Sequence, residues 1–199
     1  MNILTFDIED WYCHDVESGN KEWDKLECRI YEGVDKILGS LAERNLKGTF
    51  FVVGWLAEHH PAVIRKIADA GRQIGCHTYQ HELLTNFDKK ALFEDTRKAK
   101  SLIEDTIGKE IIAFRAPAFS ITKDNLYAFD VLGELGFKID CSIFPTTRDY
   151  GGMPNYGASE PRILEHNGYQ FKEFPINPAT LLGKELVFSG GGYVRLFPY

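Results

Sequence analysis

The chain has 199 residues, of which 44% are hydrophobic and 26% are charged, and its formal net charge is −6. This length and balance predict one folded domain with a substantial core, and they exclude an intrinsically disordered chain. The acidic charge and the absence of a basic stripe argue against nucleic acid or an anionic membrane as a partner.

The N-terminal sequence predicts where the protein works. Met1–Phe6 runs directly into an expected core strand, without the basic flank, long apolar run or cleavage site of a signal peptide. No stretch approaches the roughly 20 apolar residues of a membrane-spanning helix. The cysteines are widely spaced and form no CxxC pair. We therefore expect reduced thiols and a cytoplasmic protein, whereas the oligomeric state stays open.

Strand-like and helix-like segments alternate up to Ser142. Five apolar segments have the length and composition of strands, and they are Asn2–Asp7, Gly48–Gly54, Gln73–Thr78, Glu110–Arg115 and Lys138–Ser142. Four helical segments lie between them, from Ile30 to about Lys47, from Pro61 to Gly71, from about Lys89 to Ile107, and from Thr122 to Gly136. This alternation predicts right-handed βαβ units in a parallel sheet or barrel.

The pattern changes after Pro145. Residues 146–162 are rich in glycine and proline, which predicts an irregular surface loop. Asn167-Gly168 between two mixed apolar segments predicts a β-hairpin within Ile163–Pro175. Gly190–Gly192 predicts a turn or bulge, because the GK[ST] sequence of a phosphate-binding loop does not follow it.

Polar side chains follow four of the predicted strands. Functional groups in parallel βα folds gather at the C-terminal ends of the strands, so we expect these groups to meet at one rim. They are Asp7, Glu9 and Asp10 after the first strand, His77 and His81 after the third, Arg115 after the fourth, and Asp140 and Ser142 after the fifth.

The histidine pair predicts a metal site. His77 and His81 are four residues apart, a spacing that places two imidazoles on one side of a helical turn. Two imidazoles and one carboxylate suit Zn²⁺ or a similar divalent ion, which activates water and polarises a carbonyl. The acidic cluster could supply both a metal ligand and a general base. An unpaired arginine at a strand end is costly, so we expect Arg115 to pair with a carboxylate such as Asp7.

The sequence resembles the polysaccharide deacetylase superfamily, the NodB-homology domain of carbohydrate esterase family four. Its matching motifs occur in the family's order and are Thr5-Phe6-Asp7, His77-Thr78-Tyr79-Gln80-His81, Arg115-Ala116-Pro117-Ala118-Phe119 and Asp140-Cys141-Ser142. The segments FDIEDW, DCSIFP and SGGGYVRLFPY are most similar to a subgroup associated with bacterial exopolysaccharide gene clusters.

The resemblance implies an α/β fold, a distorted (β/α) barrel of about seven strands. Residues 1–199 would form a single NodB-like domain whose C-terminal elements are missing. The implied function is metal-dependent hydrolysis of N-acetyl groups on amino sugars of a polysaccharide or oligosaccharide. The implied cofactor is one divalent ion, with zinc first and cobalt, nickel or manganese as alternatives.

The family's site residues transfer onto matching positions of this chain. Asp7 would be the catalytic base, Arg115 would orient it, and the backbone N–H of Phe119 would stabilise the tetrahedral oxyanion. His77 and His81 would bind the metal ion.

The same resemblance assigns residues to the substrate pocket. Asp140 and Ser142 would line its acetate side. The aromatic residues near the rim could stack on sugar rings; they are Trp11, Tyr79, Tyr150 and Tyr193.

Two positions depart from the family pattern. The common motif has adjacent aspartates, whereas an isoleucine follows Asp7 here, so the third metal ligand is Glu9 or Asp10, with Glu9 slightly favoured. The family's general acid is a histidine on a late strand, and His166 lies in a predicted turn. We therefore expect the acid beyond Tyr199, which would leave this chain weakly active or inactive by itself.

Two other functions are compatible with the same residues. One is an amide or ureide hydrolase on the same scaffold. The other is a non-catalytic carbohydrate-binding relative that keeps the groove without the chemistry.

Overall fold

The structure, a computed structural model, describes residues 3–14, 22–147, 150–154, 156, 160–177, 179–181 and 184–186. The predictions made for Gly190–Gly192 and Tyr193 lie outside the described residues.

Strands and helices alternate through most of the described chain. The strands are β1 (Thr5–Ile8), β2 (Thr49–Val52), β3 (Gln73–Cys76), β4 (Ala113–Phe114), β5 (Ile139–Asp140), β6 (Arg162–His166), β7 (Tyr169–Glu173), β8 (Ala179–Leu181) and β9 (Lys184–Leu186). The α-helices are α1 (Ile30–Glu43), α2 (Gly54–His59), α3 (Pro61–Asp69), α4 (Lys89–Ile107) and α5 (Tyr127–Glu134). Short 3-10 helices occur at Trp11–His14, Trp23–Lys25, Leu84–Asn86 and Pro117–Phe119.

Seven strands form one sheet in the order β1-β2-β3-β4-β5-β7-β6, and β8 pairs with β9 separately. All neighbours from β1 to β5 are parallel, as is β5 with β7, and β6 alone in this sheet runs antiparallel to its partner. This mostly parallel sheet with intervening helices is consistent with a distorted barrel and confirms the predicted fold class. Among the described helices, none is both long and apolar enough to cross a membrane.

The two faces of the sheet bury different side chains. Phe50 and Val52 of β2 belong to the large core under the helices, whereas Phe51 packs with Ala113 and Cys141 in a smaller cluster. Successive side chains of a strand point to opposite faces, so Phe51 marks the face away from the helices. The apolar run around β2 is therefore covered on both faces of the sheet.

Helix α4 occupies the predicted segment, Lys89–Ile107. Its N-terminus is capped by Asp88, whose carboxylate accepts the N–H of Ala91 at 2.7 Å. Gly108 ends the helix with φ of 66°, a left-handed conformation that glycine adopts without strain. The β6–β7 hairpin also matches its prediction, and its Asn167-Gly168 turn has positive φ at both residues.

The structure differs from the predictions at helices α2 and α5 and at strands β4 and β5. Helix α2 was not predicted, and it follows β2 directly at Gly54. Helix α5 begins at Tyr127 rather than near Thr122, because the N–H of Thr122 is held by the side chain of Asn125 at 2.7 Å in a preceding turn. Strands β4 and β5 are each 2 residues long, shorter than predicted, since tertiary pairing decides where a ladder ends.

Candidate active site

The predicted rim exists at the C-terminal ends of β1, β3 and β4. Asp7 of β1 is the register partner of Phe51, which in turn pairs with Gly75 of β3. His77 comes two residues after Gly75, so side-chain alternation places it on the face of Asp7. Arg115 stacks over the Phe51 ring at 4.4 Å and lies on the same face.

Glu9, His77 and His81 form the candidate metal centre. Oε2 of Glu9 lies 2.5 Å from Nε2 of His81 and 3.8 Å from Nε2 of His77. The two imidazole centroids are 5.0 Å apart, and both histidines are buried. One potential ligand atom from each residue lies within 4.8 Å of the others. The three side chains therefore form a group of ligands suited to one metal ion.

The histidines meet through a loop rather than a helix. The helical-turn reasoning was therefore wrong, although the two rings do lie side by side. Thr78 and His81 adopt left-handed backbone conformations with φ of 59° and 52°. Left-handed conformations in non-glycine residues cost free energy and persist where the surroundings impose them.

Helix α2 imposes this loop conformation. The N–H of Gly54 donates to the carbonyl of Thr78 at 2.8 Å, and the N–H of Trp55 donates to the carbonyl of Tyr79 at 2.9 Å. The first N–H groups of a helix have no partner within it, so α2 offers free donors at the place where the histidine loop passes. Asp95 of α4 accepts the N–H of Tyr79 at 2.9 Å from the other side.

His77 is held as a neutral imidazole. Its Nδ1 lies 2.7 Å from the carbonyl oxygen of Arg115. A carbonyl only accepts, so Nδ1 carries the hydrogen and Nε2 presents its lone pair towards Glu9. Burial lowers the pKa of His77, and the negative charge of Asp7 opposes this shift. The ring is thus in the protonation state that binds a metal ion.

Arg115 has the predicted ion pair with Asp7. Its Nη1 donates to Oδ1 of Asp7 at 2.8 Å, its Nη2 donates to Oγ1 of Thr5 at 2.9 Å, and its Nε donates to the carbonyl of Cys141 at 3.2 Å. Three acceptors in fixed directions use the planar geometry that distinguishes arginine from lysine. The sequence places Thr5 in a matching motif, but no role was predicted for it. Its position two residues before Asp7, on the same face of β1, was the available signal.

Comparison with known proteins gives the family of this chain. A family model described as polysaccharide deacetylase matches residues 3–138. The chain belongs to the polysaccharide deacetylase family. A second model, a domain of unknown function (DUF3473), matches residues 141–199. The superfamily predicted from the motifs is therefore confirmed, and the narrower exopolysaccharide-cluster subgroup stays a prediction.

The two relatives described next are longer than this chain. The peptidoglycan-N-acetylglucosamine deacetylase of Bacillus cereus is 32% identical over 95 residues, which are 48% of this chain and 34% of the relative. The structure of a candidate polysaccharide deacetylase from Mycobacterium smegmatis matches with a TM-score of 0.71 and 26% identity, over 96% of this chain and 64% of its own. The chain thus spans between a third and two thirds of the length of these two relatives.

A more distant structure shares the fold alone. It is a family 4 carbohydrate esterase pseudoenzyme from Bacillus anthracis, with a TM-score of 0.56 and 18% identity over 69% of this chain and 41% of its own. Membership of the fold therefore does not by itself establish catalysis.

Asp10 lies in the acidic motif but away from the candidate metal centre. Its Oδ2 accepts the N–H groups of Arg29 and Ile30 at 2.7 and 3.0 Å, and its Oδ1 accepts the N–H of Trp11 at 2.8 Å. The carboxylate thus satisfies the N-terminus of α1, which is a favourable place for a negative charge. The predicted alternative of Asp10 as a metal ligand is not supported, because both of its oxygens are engaged elsewhere.

The side chains of Asp140 and Ser142 are buried and hydrogen-bonded to each other. Asp140 is the register partner of Phe114, which pairs with Cys76, so its side chain projects from the face opposite to that of Asp7. Both residues are fully buried. The geometry therefore gives no support to the substrate-binding role predicted for them, which stays a prediction.

The backbone N–H of Phe119 is already engaged. It donates to the carbonyl of Ala116 at 3.1 Å within a tight turn in which Ala118 and Phe119 have φ of 50° and 56°. Gly151 packs so closely against this turn that a Cβ there would lie 2.3 Å from the carbonyl oxygen of Phe119. The oxyanion role predicted for this N–H is not supported by the geometry, because the donor is not free.

Two further predictions concern the rim. Trp11 directly follows the acidic motif and is 53% exposed, with its indole N–H donating to the carbonyl of Glu27 at 3.0 Å. It is therefore a fixed, accessible aromatic surface.

His166 lies at the β6–β7 hairpin, with Nε2 3.3 Å from Asp130, and contributes nothing to the candidate metal centre.

Proposed function

We propose that this chain is the metal-dependent catalytic domain of a hydrolase that removes N-acetyl groups from amino sugars of a polysaccharide or oligosaccharide. The supporting observation is the convergence of Glu9, His77 and His81 beside Asp7, on one face of the sheet. Family membership adds the reaction class, because deacetylases carry out this hydrolysis.

The three converging side chains fit a divalent metal ion. Two neutral imidazole nitrogens and one carboxylate oxygen form the donor set that zinc takes in catalytic sites, with cobalt, nickel or manganese as alternatives. The loop that carries both histidines is fixed by α2, so the donor set is largely preorganised. A bound divalent ion would supply the positive charge that activates water and polarises the acetamide carbonyl.

Asp7 is the proposed general base. Its Oδ1 is held by Arg115, which leaves Oδ2 to accept a proton from the attacking water. Water adds to the acetamide carbon, the proton passes to Asp7, and the C–N bond then breaks to release acetate and the amine. Arg115 keeps the carboxylate oriented throughout, since three acceptors fix its guanidinium.

The leaving amine requires a proton from a general acid. His166 is unsuitable because of its place at the hairpin. We assign this role to a group outside the described residues. Trp11 is the proposed stacking surface for a sugar ring, since its exposed indole stands next to the acidic motif.

The second candidate function is carbohydrate binding without hydrolysis. It is favoured by the lack of a suitable general acid among the described residues, and by the existence of a pseudoenzyme with the same fold.

One experiment separates these functions. The purified protein is incubated with N-acetylglucosamine oligomers or with a ureide, each with added zinc or with a chelator. Released acetate, oligomer binding and ureide hydrolysis are measured. The proposal predicts acetate release that zinc supports and the chelator abolishes. Oligomer binding without acetate release would favour the binding protein, and hydrolysis of a ureide but not of the oligomers would favour the amide hydrolase.

A further inference from the structure

A second pair of ionisable side chains is buried on the other face of the sheet. Asp140 of β5 and Glu173 of β7 are register partners in the parallel ladder, and both are fully buried. Register partners project from the same face, so the two carboxyl groups are neighbours. Two buried carboxylates so close together cannot both remain ionised without a large electrostatic cost.

Hydrogen bonds indicate which carboxyl group is ionised. Oδ1 of Asp140 accepts the hydroxyl of Ser142 at 2.6 Å, and Oδ2 accepts the N–H of Ser142 at 3.1 Å. A carboxyl group with two donors pointing at it is stabilised as the carboxylate. In the described part of the chain, no N–H or O–H group donates with ordinary geometry to either oxygen of Glu173, whose carboxyl group interacts with that of Asp140. The shared proton therefore belongs to Glu173.

The electrostatic surroundings agree with this assignment. Burial raises the pKa of Glu173 well above its ordinary value, and the charge of Asp140 raises it further. The positive charge of Arg162 and the N–H of Ile143 oppose this shift without cancelling it. Burial also raises the pKa of Asp140, whereas the bonds from Ser142 lower it.

The other groups that the structure describes as interacting with the pair are neutral or positive. Burial raises the pKa of Tyr156 and that of Cys141 to about 12 each, so both stay protonated at neutral pH. Arg115 approaches from the end of β4 and favours the ionised form of Asp140. None of these groups removes the need for a proton between the two carboxyl groups.

Asp140 is connected to the candidate active site through a short chain of hydrogen bonds. The hydroxyl of Ser142 that donates to Asp140 also accepts the N–H of Ala116 at 2.8 Å. Ala116 follows Arg115, whose carbonyl receives Nδ1 of His77 and whose guanidinium binds Asp7. The buried pair thus supports the backbone that orients the proposed ligand and base.

We propose that Glu173 is a positioning residue, which donates a hydrogen bond as a neutral acid to ionised Asp140 and so fixes the Ser142–Ala116 link beside Arg115. The effect of the pair on catalysis rests on the proposed function, whereas the protonation state of the pair is independent of it.

The direct test uses infrared difference spectroscopy at neutral pH on the wild-type protein, on Glu173→Gln and on Glu165→Gln. Glu165 is an exposed residue of β6 and serves as the matched control. The wild-type protein and Glu165→Gln should show the carbonyl stretch of a buried protonated carboxyl group, and Glu173→Gln should lack it. Absence of this band from the wild-type protein, or its survival in Glu173→Gln, would overturn the proposal.

The pH dependence of stability gives an independent readout. A glutamate with a raised pKa in the folded state stabilises the protein at low pH, and this contribution is lost as the pH rises from about 4.5 towards the raised pKa. Glutamine cannot lose a proton, so the Tm of Glu173→Gln should exceed that of the wild type by at least about 2 °C at pH 7, with the difference vanishing near pH 4.5. A difference that does not depend on pH would contradict the shared proton.

The asymmetry of the pair is tested by activity. Glutamine at position 173 still donates to Asp140, so Glu173→Gln should release acetate within about twofold of the wild-type rate. Glu173→Ala and Asp140→Asn should each lower kcat by at least about tenfold, which is the usual cost of removing an orienting partner. Tolerance of Asp140→Asn with loss in Glu173→Gln would reverse the assignment. A wild-type protein without acetate release would contradict the proposed function only, because the infrared and stability measurements stand without activity.

Discussion

Nδ1 of His77 lies 2.7 Å from the carbonyl oxygen of Arg115. The guanidinium of the same arginine donates to Asp7 at 2.8 Å. One residue thus orients the proposed metal ligand with its backbone and the proposed base with its side chain. The two roles are separable by mutation, because a side-chain substitution leaves the carbonyl in place.

Replacement of Arg115 by lysine should separate these roles. Lysine keeps the positive charge but cannot reach Asp7, Thr5 and the Cys141 carbonyl together, so we expect kcat to fall by about 10- to 100-fold. Zinc affinity, measured by competition with a chromophoric chelator, should change little. Arg97→Lys, in an exposed ion pair with Glu94, is the control and should match the wild type. A large loss of zinc affinity in Arg115→Lys would contradict the separation.

Replacement of Asp7 by asparagine should remove the proposed base without removing the metal site. Asparagine has nearly the same shape and still accepts a hydrogen bond from Arg115, but it cannot take a proton. Acetate release should fall by about 10²- to 10⁴-fold, the usual contribution of a general base. Metal content by elemental analysis should equal that of the wild type. Activity close to the wild-type rate would refute the assignment of Asp7.

Glu9 and Asp10 should respond in opposite ways to substitution. Glu9→Gln should weaken zinc binding by at least about tenfold, because a carboxylate is replaced by a poor metal ligand, and should leave stability nearly unchanged. Asp10→Ala should keep zinc binding but lower the free energy of unfolding by about 1–3 kcal/mol, since it strands the N–H groups at the start of α1. Urea unfolding and zinc titration measure the two effects. The opposite pattern would assign the metal ligand to Asp10.

Gly54 should be intolerant of a side chain. A Cβ there would lie 2.7 Å from Cα of Ala99 on α4, and Gly54 also holds the histidine loop through Thr78. Gly54→Ala should cost about 1–3 kcal/mol of unfolding free energy through overpacking, and it should weaken zinc binding as α2 shifts. Gly39→Ala, in α1 with nothing within 4 Å of its Cβ, should instead be neutral or stabilising by up to about 1 kcal/mol. Equal effects of the two substitutions would argue against a role for α2.

The sequence by itself determined the fold class, helix α4, the β6–β7 hairpin, the ion pair of Arg115 with Asp7 and the rim that holds the acidic motif and the histidines. These features follow from local patterns: apolar periodicity, capping residues, turn dipeptides, and the rule that parallel strands end together. Tertiary structure alone decided that Glu9 rather than Asp10 faces the imidazoles, that α2 shapes the histidine loop, and that Asp140 lies opposite Asp7 and beside Glu173. The reason is physical: neighbouring residues in the sequence point in different directions, and only the packing of distant strands and helices determines which of them meet.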